Sequence, residues 1–365
     1  MNAFSTIIGK LDGVNDRAII VKAAEIIRKG GLVAFPTETV YGIGANALNR
    51  DAVARIYEAK GRPSNNPLIV HIAEKEDVNT LAEKQNISKT AEKLMQAFWP
   101  GPLTLIFKKK VIVPDITSGG LDTVAVRLPN NHTARQLVRL SGTPIAAPSA
   151  NFSGKPSSTL AEHVINDLNG KIDMIIDGNG NGTWNGIYAG SECEIGLEST
   201  IVDVSKDADT IALLRPGAVT VEMLSLFAEN ILDKTGMASD KPEAPGMMYR
   251  HYSPDAELTV VCGGVHKKAE HLREMYETAV SDGKKPGLLI CEQLAGFFSR
   301  EELANAFIIG DVEKPETIAA NLYSLLRKFD QAGYTHILAE GYDGAGILQS
   351  VMNRLGKAGT VIKVF

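Results

Sequence analysis

Residues 31–72 read GLVAFPTETVYGIGANALNRDAVARIYEAKGRPSNNPLIVHI, and the order of their apolar and polar residues decides the class of fold. Two short apolar runs, Leu32–Phe35 and Leu68–Ile72, predict β-strands. Between them, Ala52–Lys60 has the spacing of an amphipathic helix. A strand, a helix and a second strand in this order indicate an α/β domain.

The same pattern continues on both sides of this stretch. A helix predicted over Ala18–Lys29 stops at two glycines, and the next helix begins after Asn49 and Asp51, either of which could cap it. Further strands are predicted at Leu103–Phe107, Thr123–Leu128, Ile145–Ala147, Met174–Ile176 and Thr200–Val204. Because these strands are short and separated by many turn residues, we expect them to form a mixed sheet.

The pattern changes after about Pro216. A helix is predicted near Val219–Ile231, followed by the polar stretch Asp233–Glu243 and by the peptide APGMMYRHYSPDA at residues 244–256. Proline, glycine and polar residues between two patterned blocks are typical of a linker. We therefore expect a first domain at 1–217, a helix and linker at 218–255, and a second domain at 256–365.

The second domain has a cleaner alternation of strands and helices. Its strands are predicted at Leu258–Cys262, Gly287–Cys291, Ala306–Ile309, His336–Ala339 and Val361–Val364. Its helices are predicted at Lys267–Ser281, Pro315–Ala332 and Ile347–Leu355. This alternation predicts a small, mostly parallel, doubly wound sheet of the Rossmann-like kind.

The composition disfavours several classes of protein. The chain has 365 residues, of which 44% are hydrophobic and 22% charged, which is enough for about two folded domains. Its apolar runs are far shorter than the roughly 20 residues of a membrane span, and the N-terminus lacks a basic start followed by an apolar run. Three isolated cysteines argue against a disulfide framework and against a zinc site. We therefore expect a cytoplasmic protein that does not associate with membranes.

The charge and the absence of standard motifs narrow the function. A net charge of −5 disfavours a protein whose main function is to bind the backbone of a nucleic acid. No Gly-Lys pair is followed by Ser or Thr as in a P-loop, and neither H-E-x-x-H nor G-x-S-x-G occurs. Gly42-x-Gly44-x-x-Ala47 follows a strand, but the next helix begins too late to meet a pyrophosphate, so we interpret it as a tight turn.

Polar residues without an obvious packing role are concentrated in the opening stretch. They are Thr37, Thr39, Lys60, Arg62, Asn66 and His71. Lys60, at the end of a helix, either offsets the helix dipole or binds an anion. Arg62 is held on a rigid loop, where a guanidinium suits bidentate binding of phosphate or carboxylate. His71, inside an apolar strand, is either a hydrogen-bonded core histidine or a contact to a substrate.

Three later segments have the same character. Arg127 lies in the strand run TVAVRLP, where a buried cation requires an anionic partner. The loop PIAAPSANFSGKPSST at 144–159 has the density of donors expected of an oxyanion cradle, although it could also be a plain turn. The segments GLESTIVDV and LLRPGAVT add Ser199 and Arg215. We expect about six cations to line one cleft, enough for a triphosphate and a carboxylate: Lys60, Arg62, Arg127, Lys155, Arg215 and Arg250.

Eight ordered motifs resemble those of the threonylcarbamoyl-AMP synthase family in its two-domain form. They are PTETVYGIGANA, YEAKGRPSNNPLIVHI, FWPGPLTLI, TVAVRLP, APSANFSGKPS, GLESTIVD, LLRPGA and YRHYSP. The resemblance implies a YrdC-like twisted mixed sheet with a large concave cavity, followed by a smaller C-terminal domain. It also implies an enzyme that converts L-threonine, bicarbonate and ATP into L-threonylcarbamoyladenylate and pyrophosphate. A downstream threonylcarbamoyl transferase would use the adenylate to modify ANN-decoding tRNAs.

The resemblance also implies roles for single residues. L-threonine would be bound by Thr39, His71, Arg127, the backbone of Ala147, and Ser199. ATP would carry Mg²⁺ on its phosphates, with no organic cofactor and no metal site in the protein, and would be bound by Arg62, Asn66, Thr123, Ser149, Ser157, Arg215 and Ser253. Lys60 and Arg62 are the expected catalytic residues, and Lys60, Asn151 and Lys155 would serve nearby as supplementary ligands of phosphate or carboxylate. Arg250, His251 and Tyr252 would form a lid that excludes water from a hydrolysis-prone adenylate.

One departure from the family pattern follows Asp177, where Gly- and Asn-rich residues 178–192 precede the GLEST segment. Such an insertion is typical of a surface loop, and it lies close to Ser199 in the sequence. Trp184 and Tyr188 either pack on the lid or decorate this loop, and we favour the second interpretation. Two alternative functions stay open, a related carbamoyl-adenylate enzyme and a module that binds tRNA or double-stranded RNA. For the synthase itself we expect weak or transient contact with RNA at most.

Overall fold

The computed structural model divides into two compact units. It describes residues 5–178, 193–206, 210–235, 242–245 and 251–364, together with the backbone of 183–184 and 187–188. Unit 1 comprises residues 1–153, 157–194 and 198–248, and unit 2 comprises 154–156, 195–197 and 249–365. The domain limits inferred from the sequence stay a prediction.

Unit 1 is built on a large mixed sheet. Its strands are β1 (Ile7–Lys10), β2 (Val33–Phe35), β3 (Gly42–Asn46), β4 (Ile69–His71), β5 (Leu103–Lys108), β6 (Thr123–Arg127), β7 (Ile145–Ala146), β8 (Met174–Asp177), β9 (Thr183–Trp184), β10 (Ile187–Tyr188), β11 (Thr200–Asp203), β12 (Thr210–Arg215) and β13 (Asn230–Asp233). The sheet order is β1-β8-β2-β3-β7-β4-β6-β5-β11-β12-β13, and β9 and β10 form a separate hairpin. The pair β4–β6 is parallel and the pair β5–β6 is antiparallel, so the predicted mixed sheet is confirmed.

The helices of unit 1 include both of those predicted before β4. They are α1 (Asp16–Arg28), α2 (Arg50–Lys60), α3 (Val78–Leu81), α4 (Lys89–Phe98), α5 (Asp115–Ser118), α6 (His132–Ser141), α7 (Ala161–Leu168) and α8 (Val221–Leu224), with 3₁₀ turns at Lys75–Asp77 and Lys84–Asn86. The sequence patterns did not identify α4, α6 or α7. Of the two candidate caps for α2, Asn49 is the N-cap residue, because its side chain accepts the backbone N–H groups of Asp51 and Ala52.

The helix predicted near Val219–Ile231 is confirmed only in its first half. The helix α8 ends at Leu224, and residues 230–233 instead form β13, which pairs in parallel with β12 from Thr210 to Leu213. Without this pairing, β12 would expose a row of unpaired backbone N–H and C=O groups. The hydrogen bonds to β12 therefore outweigh the local preference for helix, and only the tertiary structure reveals them.

The two faces of the unit 1 sheet differ because successive strand residues point to opposite sides. One face, which includes Val70 and Val126, belongs to the main apolar cluster. The opposite face includes Ile69 and Ala125, and it packs in a smaller cluster with Ala244 from the segment that follows β13. His71 and Arg127 lie two residues beyond Ile69 and Ala125, so they belong to this second face.

Unit 2 contains a separate, fully parallel sheet. Its strands are β14 (Glu257–Cys262), β15 (Pro286–Ile290), β16 (Ala306–Ile308), β17 (His336–Glu340) and β18 (Thr360–Lys363), in the order β16-β15-β17-β14-β18. Its helices are α9 (Val265–Ser281), α10 (Glu292–Ala295), α11 (Arg300–Leu303), α12 (Pro315–Gln331) and α13 (Ile347–Ala358). Because parallel crossovers are right-handed in nearly all proteins, this strand order places α9 on one face of the sheet and α12 and α13 on the other, which is the doubly wound arrangement predicted. No helix in the described parts of the chain has both the length and the apolar character needed to cross a membrane.

Asn49 provides a test of how α2 is started. Its Oδ1 accepts the N–H groups of Asp51 at 3.0 Å and Ala52 at 3.1 Å, so Asn49→Ala leaves two helix donors without a protein partner. We expect the substitution to lower the free energy of unfolding by about 1 kcal/mol, measured by urea denaturation. Asn49→Asp, which keeps an acceptor, should stay close to the wild type. Equal denaturation midpoints for Asn49→Ala and the wild type would contradict the assignment of this cap.

Candidate active site

The register of the unit 1 sheet aligns polar residues from separate motifs in one row. His71 pairs with Arg127, Arg127 with Thr104, Thr104 with Ile201, and Ile201 with Arg215. Paired residues on neighbouring strands project from the same face, and Arg215 pairs with Ile201 because the register of β11 and β12 shifts at a bulge between Ile201 and Val202. His71 is on the strand next to that of Arg127. Arg215 lies three strands from Arg127 on the other side, or about 14 Å at a strand spacing of about 4.8 Å. The sheet therefore brings together residues that are up to 144 positions apart in the sequence.

Arg127 is buried and has the anionic partner that its position required. Its Nη2 lies 2.7 Å from Oε1 of Glu38, which is also buried. Nη1 donates to Oγ1 of Thr39 at 2.8 Å, and Nε donates to the carbonyl oxygen of Gly101 at 3.3 Å. The guanidinium is thus held by the loop after β2 and by the turn before β5. The sequence indicated the need for a partner but not which residue supplies it.

A chain of hydroxyl groups fixes Thr39. Oγ1 of Thr37 donates to the carbonyl oxygen of Val40 at 2.7 Å, which uses the single proton of that hydroxyl. Oγ1 of Thr37 also accepts the backbone N–H groups of Thr39 and Val40, and the hydroxyl of Thr39 lies 2.8 Å from it while it accepts from Arg127. Thr39 has one oxygen lone pair left. It can accept a further hydrogen bond, such as one from the hydroxyl or ammonium group of a ligand.

His71 is neutral at physiological pH. Burial, together with the charge of Arg127, lowers the pKa of His71 to about 3. Its ring meets Phe35 edge to face at 6.1 Å, and its Nδ1 is buried with no hydrogen-bond partner among the described residues. Of the two interpretations of this histidine, the structure leaves room for a contact with a substrate, and the imidazole would make it uncharged.

Ser199 and Arg215 form a second polar group in the same row. Oγ of Ser199 lies 2.7 Å from Oγ1 of Thr104 and accepts from Nη2 of Arg215 at 3.2 Å. Nε of Arg215 donates to the carbonyl oxygen of Ser199 at 3.0 Å, and Nη1 donates to that of Pro245 at 3.4 Å. Arg215 therefore ties Ser199 to the beginning of the linker.

Lys60 holds the loop that follows β7. It is almost fully buried at the end of α2, and its Nζ donates to the carbonyl oxygens of Ser149 and Asn151. These contacts go beyond a weak interaction with the helix dipole, because they fix the backbone of a loop rich in donors. Further along this loop, Oγ of Ser157 is hydrogen-bonded to Oε1 of Glu198. The backbone N–H of Ala147 donates to Ile69 at 2.8 Å, which anchors the start of the loop to β4.

The remaining predicted ATP ligands of unit 1 lie on the loop before β4 and at the start of β6. Arg62 is half-buried, and its Nη2 donates to the carbonyl oxygen of Pro67 at 3.1 Å. Asn66 is buried, and its Oδ1 has no hydrogen-bond partner among the described residues. Thr123 shares a sheet face with Arg127 but lies four residues away, about 13 Å along the strand. The face is therefore long enough to separate two subsites.

Several predicted residues belong to unit 2 or lie outside the description. Nζ of Lys155 pairs with Asp255 at 3.3 Å. The N–H of Ser253 donates to Gly154 at 2.9 Å, and its Oγ donates to Ala358 at 3.1 Å. In the predicted lid, the ring of Tyr252 stacks on Tyr323 at 5.3 Å and lies 5.5 Å from that of His251. Arg250 lies outside the described residues, as do most of the insertion and the side chains of Trp184 and Tyr188. Four of the six cations expected in one cleft therefore belong to unit 1: Lys60, Arg62, Arg127 and Arg215.

Sequence reasoning missed Glu38, Thr104 and Glu198. Each lies inside a motif quoted above, but no pattern in the sequence assigns a partner to it. The need of Arg127 for an anion pointed to an acidic residue, and Glu38 is the one it contacts. Across the described ranges, no three His, Cys, Asp or Glu side chains lie close enough to hold a metal ion.

Comparisons with known proteins indicate one family over nearly the whole chain. The family profile described as "Telomere recombination" (Sua5/YciO/YrdC) matches residues 25–217, and that described as "Threonylcarbamoyl-AMP synthase, C-terminal domain" matches 219–360. The threonylcarbamoyl-AMP synthase of Pyrococcus abyssi is 46% identical over 94% of this chain and 95% of its own length. That of Bacillus subtilis is 44% identical, over 94% of each chain. The crystal structure of P. abyssi Sua5 complexed with L-threonine is 45% identical, with a TM-score of 0.88 over 99% of this chain and 100% of that one.

The lowered pKa of His71 predicts how stability depends on pH. The folded state takes up this proton only near pH 3, whereas an unfolded histidine does so near pH 6.5. Between these values the unfolded chain binds the extra proton, so His71 lowers stability as the pH falls, by up to about 1.4 kcal/mol per pH unit. We expect His71→Asn to remove this component, so that stability falls less steeply between pH 6 and pH 4.5.

Urea denaturation at a series of pH values measures this slope. The exposed His266→Asn is the matched control for the replacement of a histidine by asparagine. A slope for His71→Asn that is as steep as the wild type's would show that His71 is not held neutral.

Proposed function

The chain belongs to the threonylcarbamoyl-AMP synthase family, and we propose that it makes L-threonylcarbamoyladenylate and pyrophosphate from L-threonine, bicarbonate and ATP. The observation that carries this proposal is the buried group around Arg127, in which a guanidinium and a neutral imidazole on one sheet face meet two threonine hydroxyls from the loop after β2. These groups are complementary to an amino acid that carries a carboxylate and a hydroxyl. Relatives of this chain are named threonylcarbamoyl-AMP synthases, and we propose the same activity for this chain.

We assign the carboxylate of L-threonine to Arg127. A guanidinium has five N–H donors, of which Nη1 and Nε use one each on Thr39 and Gly101, while Nη2 lies 2.7 Å from Glu38 without a hydrogen bond of good geometry, so donors remain for a ligand. The other assigned ligands of threonine are Thr39, His71, the backbone of Ala147, and Ser199. The assignment of Ser199 as a threonine ligand is supported by its contacts, because Thr104 and Arg215 hold its hydroxyl in a defined orientation.

We assign ATP to the remainder of the same face and to the loops beside it. The proposed ligands are Arg62, Asn66, Thr123, Ser149, Ser157, Arg215 and Ser253, with Asn151 and Lys155 as supplementary ligands. The unpartnered and buried Oδ1 of Asn66 supports a ligand there, because an unsatisfied buried acceptor costs about 1–3 kcal/mol. ATP enters as its Mg²⁺ complex, with the ion carried on the phosphates as part of the substrate.

The reaction proceeds in two steps. The ammonium of threonine first loses a proton, and the resulting amine attacks carbon dioxide derived from bicarbonate and loses a second proton, which gives a carbamate. A carbamate oxygen then attacks the α-phosphorus in line, as the bond from phosphorus to the pyrophosphate oxygen breaks. We assign catalysis mainly to positioning and to neutralisation of charge. Arg62 neutralises the phosphates, and Lys60 fixes the loop that carries Ser149 and Asn151.

The linker peptide that starts at Ala244 packs against the face of the proposed site, and its later residues form the proposed lid. Ala244 is fully buried in the apolar cluster of the site face, and Arg215 binds the carbonyl oxygen of Pro245. Glu243 pairs with Lys206 and Lys234, and the hydrogen bond from Lys206 is the main reason that its pKa is lowered. From this anchored start, Arg250, His251 and Tyr252 would close over the substrates and exclude water from the adenylate. A transferase that acts on tRNA would then consume the product.

The dependence of pyrophosphate release on each substrate tests this function. We expect the full chain to release pyrophosphate from ATP only when threonine and bicarbonate are both present, because the carbamate is the attacking group. Release that does not depend on threonine would contradict the proposal. Salt-sensitive binding of RNA without any turnover would instead support the alternative of an RNA-binding module.

Arg62→Ala tests the proposed phosphate contact. Arg62 is half-buried on a loop, so its removal should leave the fold intact while the rate of pyrophosphate release falls at least about tenfold, because a charge-assisted contact to ATP is lost. Initial rates over a series of ATP concentrations measure the effect. The control is Arg55→Ala, since Arg55 is a partly exposed arginine paired with Asp173. A rate for Arg62→Ala within twofold of this control would argue against the assigned role.

A further inference from the structure

We propose that Glu38 binds the ammonium group of the amino-acid substrate, a role additional to its ion pair with Arg127. This inference rests on the proposed function, since it concerns the same subsite. It makes Glu38 a residue that selects α-amino acids over other hydroxylated carboxylic acids.

The two carboxylate oxygens of Glu38 have different surroundings. Oε1 accepts the backbone N–H of Asn130 at 3.0 Å and lies 2.7 Å from Nη2 of Arg127. Oε2 is buried and has no hydrogen-bond partner among the described residues. A buried carboxylate oxygen without a donor is costly, so its presence beside the proposed subsite indicates a donor that arrives with the ligand.

The neighbouring groups make Glu38 the suitable partner for an ammonium. Arg127 is a cation, and burial together with the charge of Arg127 lowers the pKa of His71 so that its imidazole is neutral. Thr39 offers a single oxygen lone pair, which is a weaker acceptor than a carboxylate. Among the described residues that contact Arg127 or Thr39, Glu38 is the anionic one.

The geometry of an α-amino acid fits this pair of charges. In such a molecule a single carbon separates the ammonium from the carboxylate, so the two groups must meet oppositely charged partners that lie side by side. Arg127 and Glu38 are in direct contact, and Thr39 follows Glu38 in the chain. A zwitterion placed with its carboxylate at Arg127 therefore has its ammonium within reach of Glu38. With a hydroxyl in place of the ammonium, the ligand would bring no charged donor to Oε2 of Glu38, although Oε1 would keep its contact with Arg127.

Calorimetric titration of the full chain with two ligands tests the inference. The ligands are L-threonine and 2,3-dihydroxybutanoate, in which a hydroxyl replaces the ammonium. We expect the wild type to bind threonine at least about tenfold more tightly than the analogue, because only threonine forms the charge-assisted contact. Equal affinity of the wild type for the two ligands would overturn the inference without the use of any variant.

The substitution Glu38→Gln separates ammonium binding from the positioning of Arg127. We expect its affinity for threonine to fall at least about tenfold and its affinity for the analogue to change less than about threefold. If Glu38 only positions Arg127, both affinities will fall together, which would overturn the inference. Glu38→Asp should retain part of the preference for threonine, and the exposed Glu58→Gln is the matched control with unchanged affinities.

Failure of this inference can be told apart from failure of the proposed function. A wild type that releases pyrophosphate in response to threonine, but does not distinguish the two ligands, would contradict only the role of Glu38. A wild type that neither binds threonine nor releases pyrophosphate would contradict the function itself.

Discussion

The buried ion pair between Arg127 and Glu38 is the interaction on which the rest of the site depends. A guanidinium taken out of water costs several kcal/mol unless its donors are satisfied, and those of Arg127 reach Glu38, Thr39 and Gly101. These residues come from the loop after β2 and the turn before β5, so the cation holds two loops against β6. The hydroxyl chain through Thr37 then orients the loop that carries Thr39.

Strand register converts this local constraint into a site. His71, Arg127, Thr104 and Arg215 share a face because their strands pair in one particular register, and a shift of one residue in β6 would send Arg127 into the apolar face. Val126, which precedes it, belongs to the main core and opposes such a shift. The same packing that stabilises unit 1 therefore keeps the polar groups together, and this explains how short strands can hold residues from distant motifs in a fixed geometry.

The sequence predicted those features that depend on neighbouring residues. The α/β class, the helix beginning after Asn49 and the need of Arg127 for an anion all follow from local patterns and from the cost of burying charge. The identity of that anion does not follow from local patterns, because Glu38 is 89 residues away from Arg127 in the sequence. Only the relative positions of β2 and β6 distinguish Glu38 from other carboxylates in loops. The helix predicted near Val219–Ile231 extended too far, into β13, for the same reason, since the partner strand β12 contributes the hydrogen bonds that decide the conformation of β13.

A crystal structure of this protein with L-threonine and an unreactive ATP analogue tests the central claim most directly. We predict that the threonine carboxylate lies within hydrogen-bond distance of the Arg127 guanidinium and that the threonine hydroxyl contacts His71 or Ser199. We also predict that the α-phosphate lies further along the same sheet face, toward Arg62 and Ser149. Threonine bound at the Thr123 end of the face, or on the opposite face of the sheet, would contradict the account.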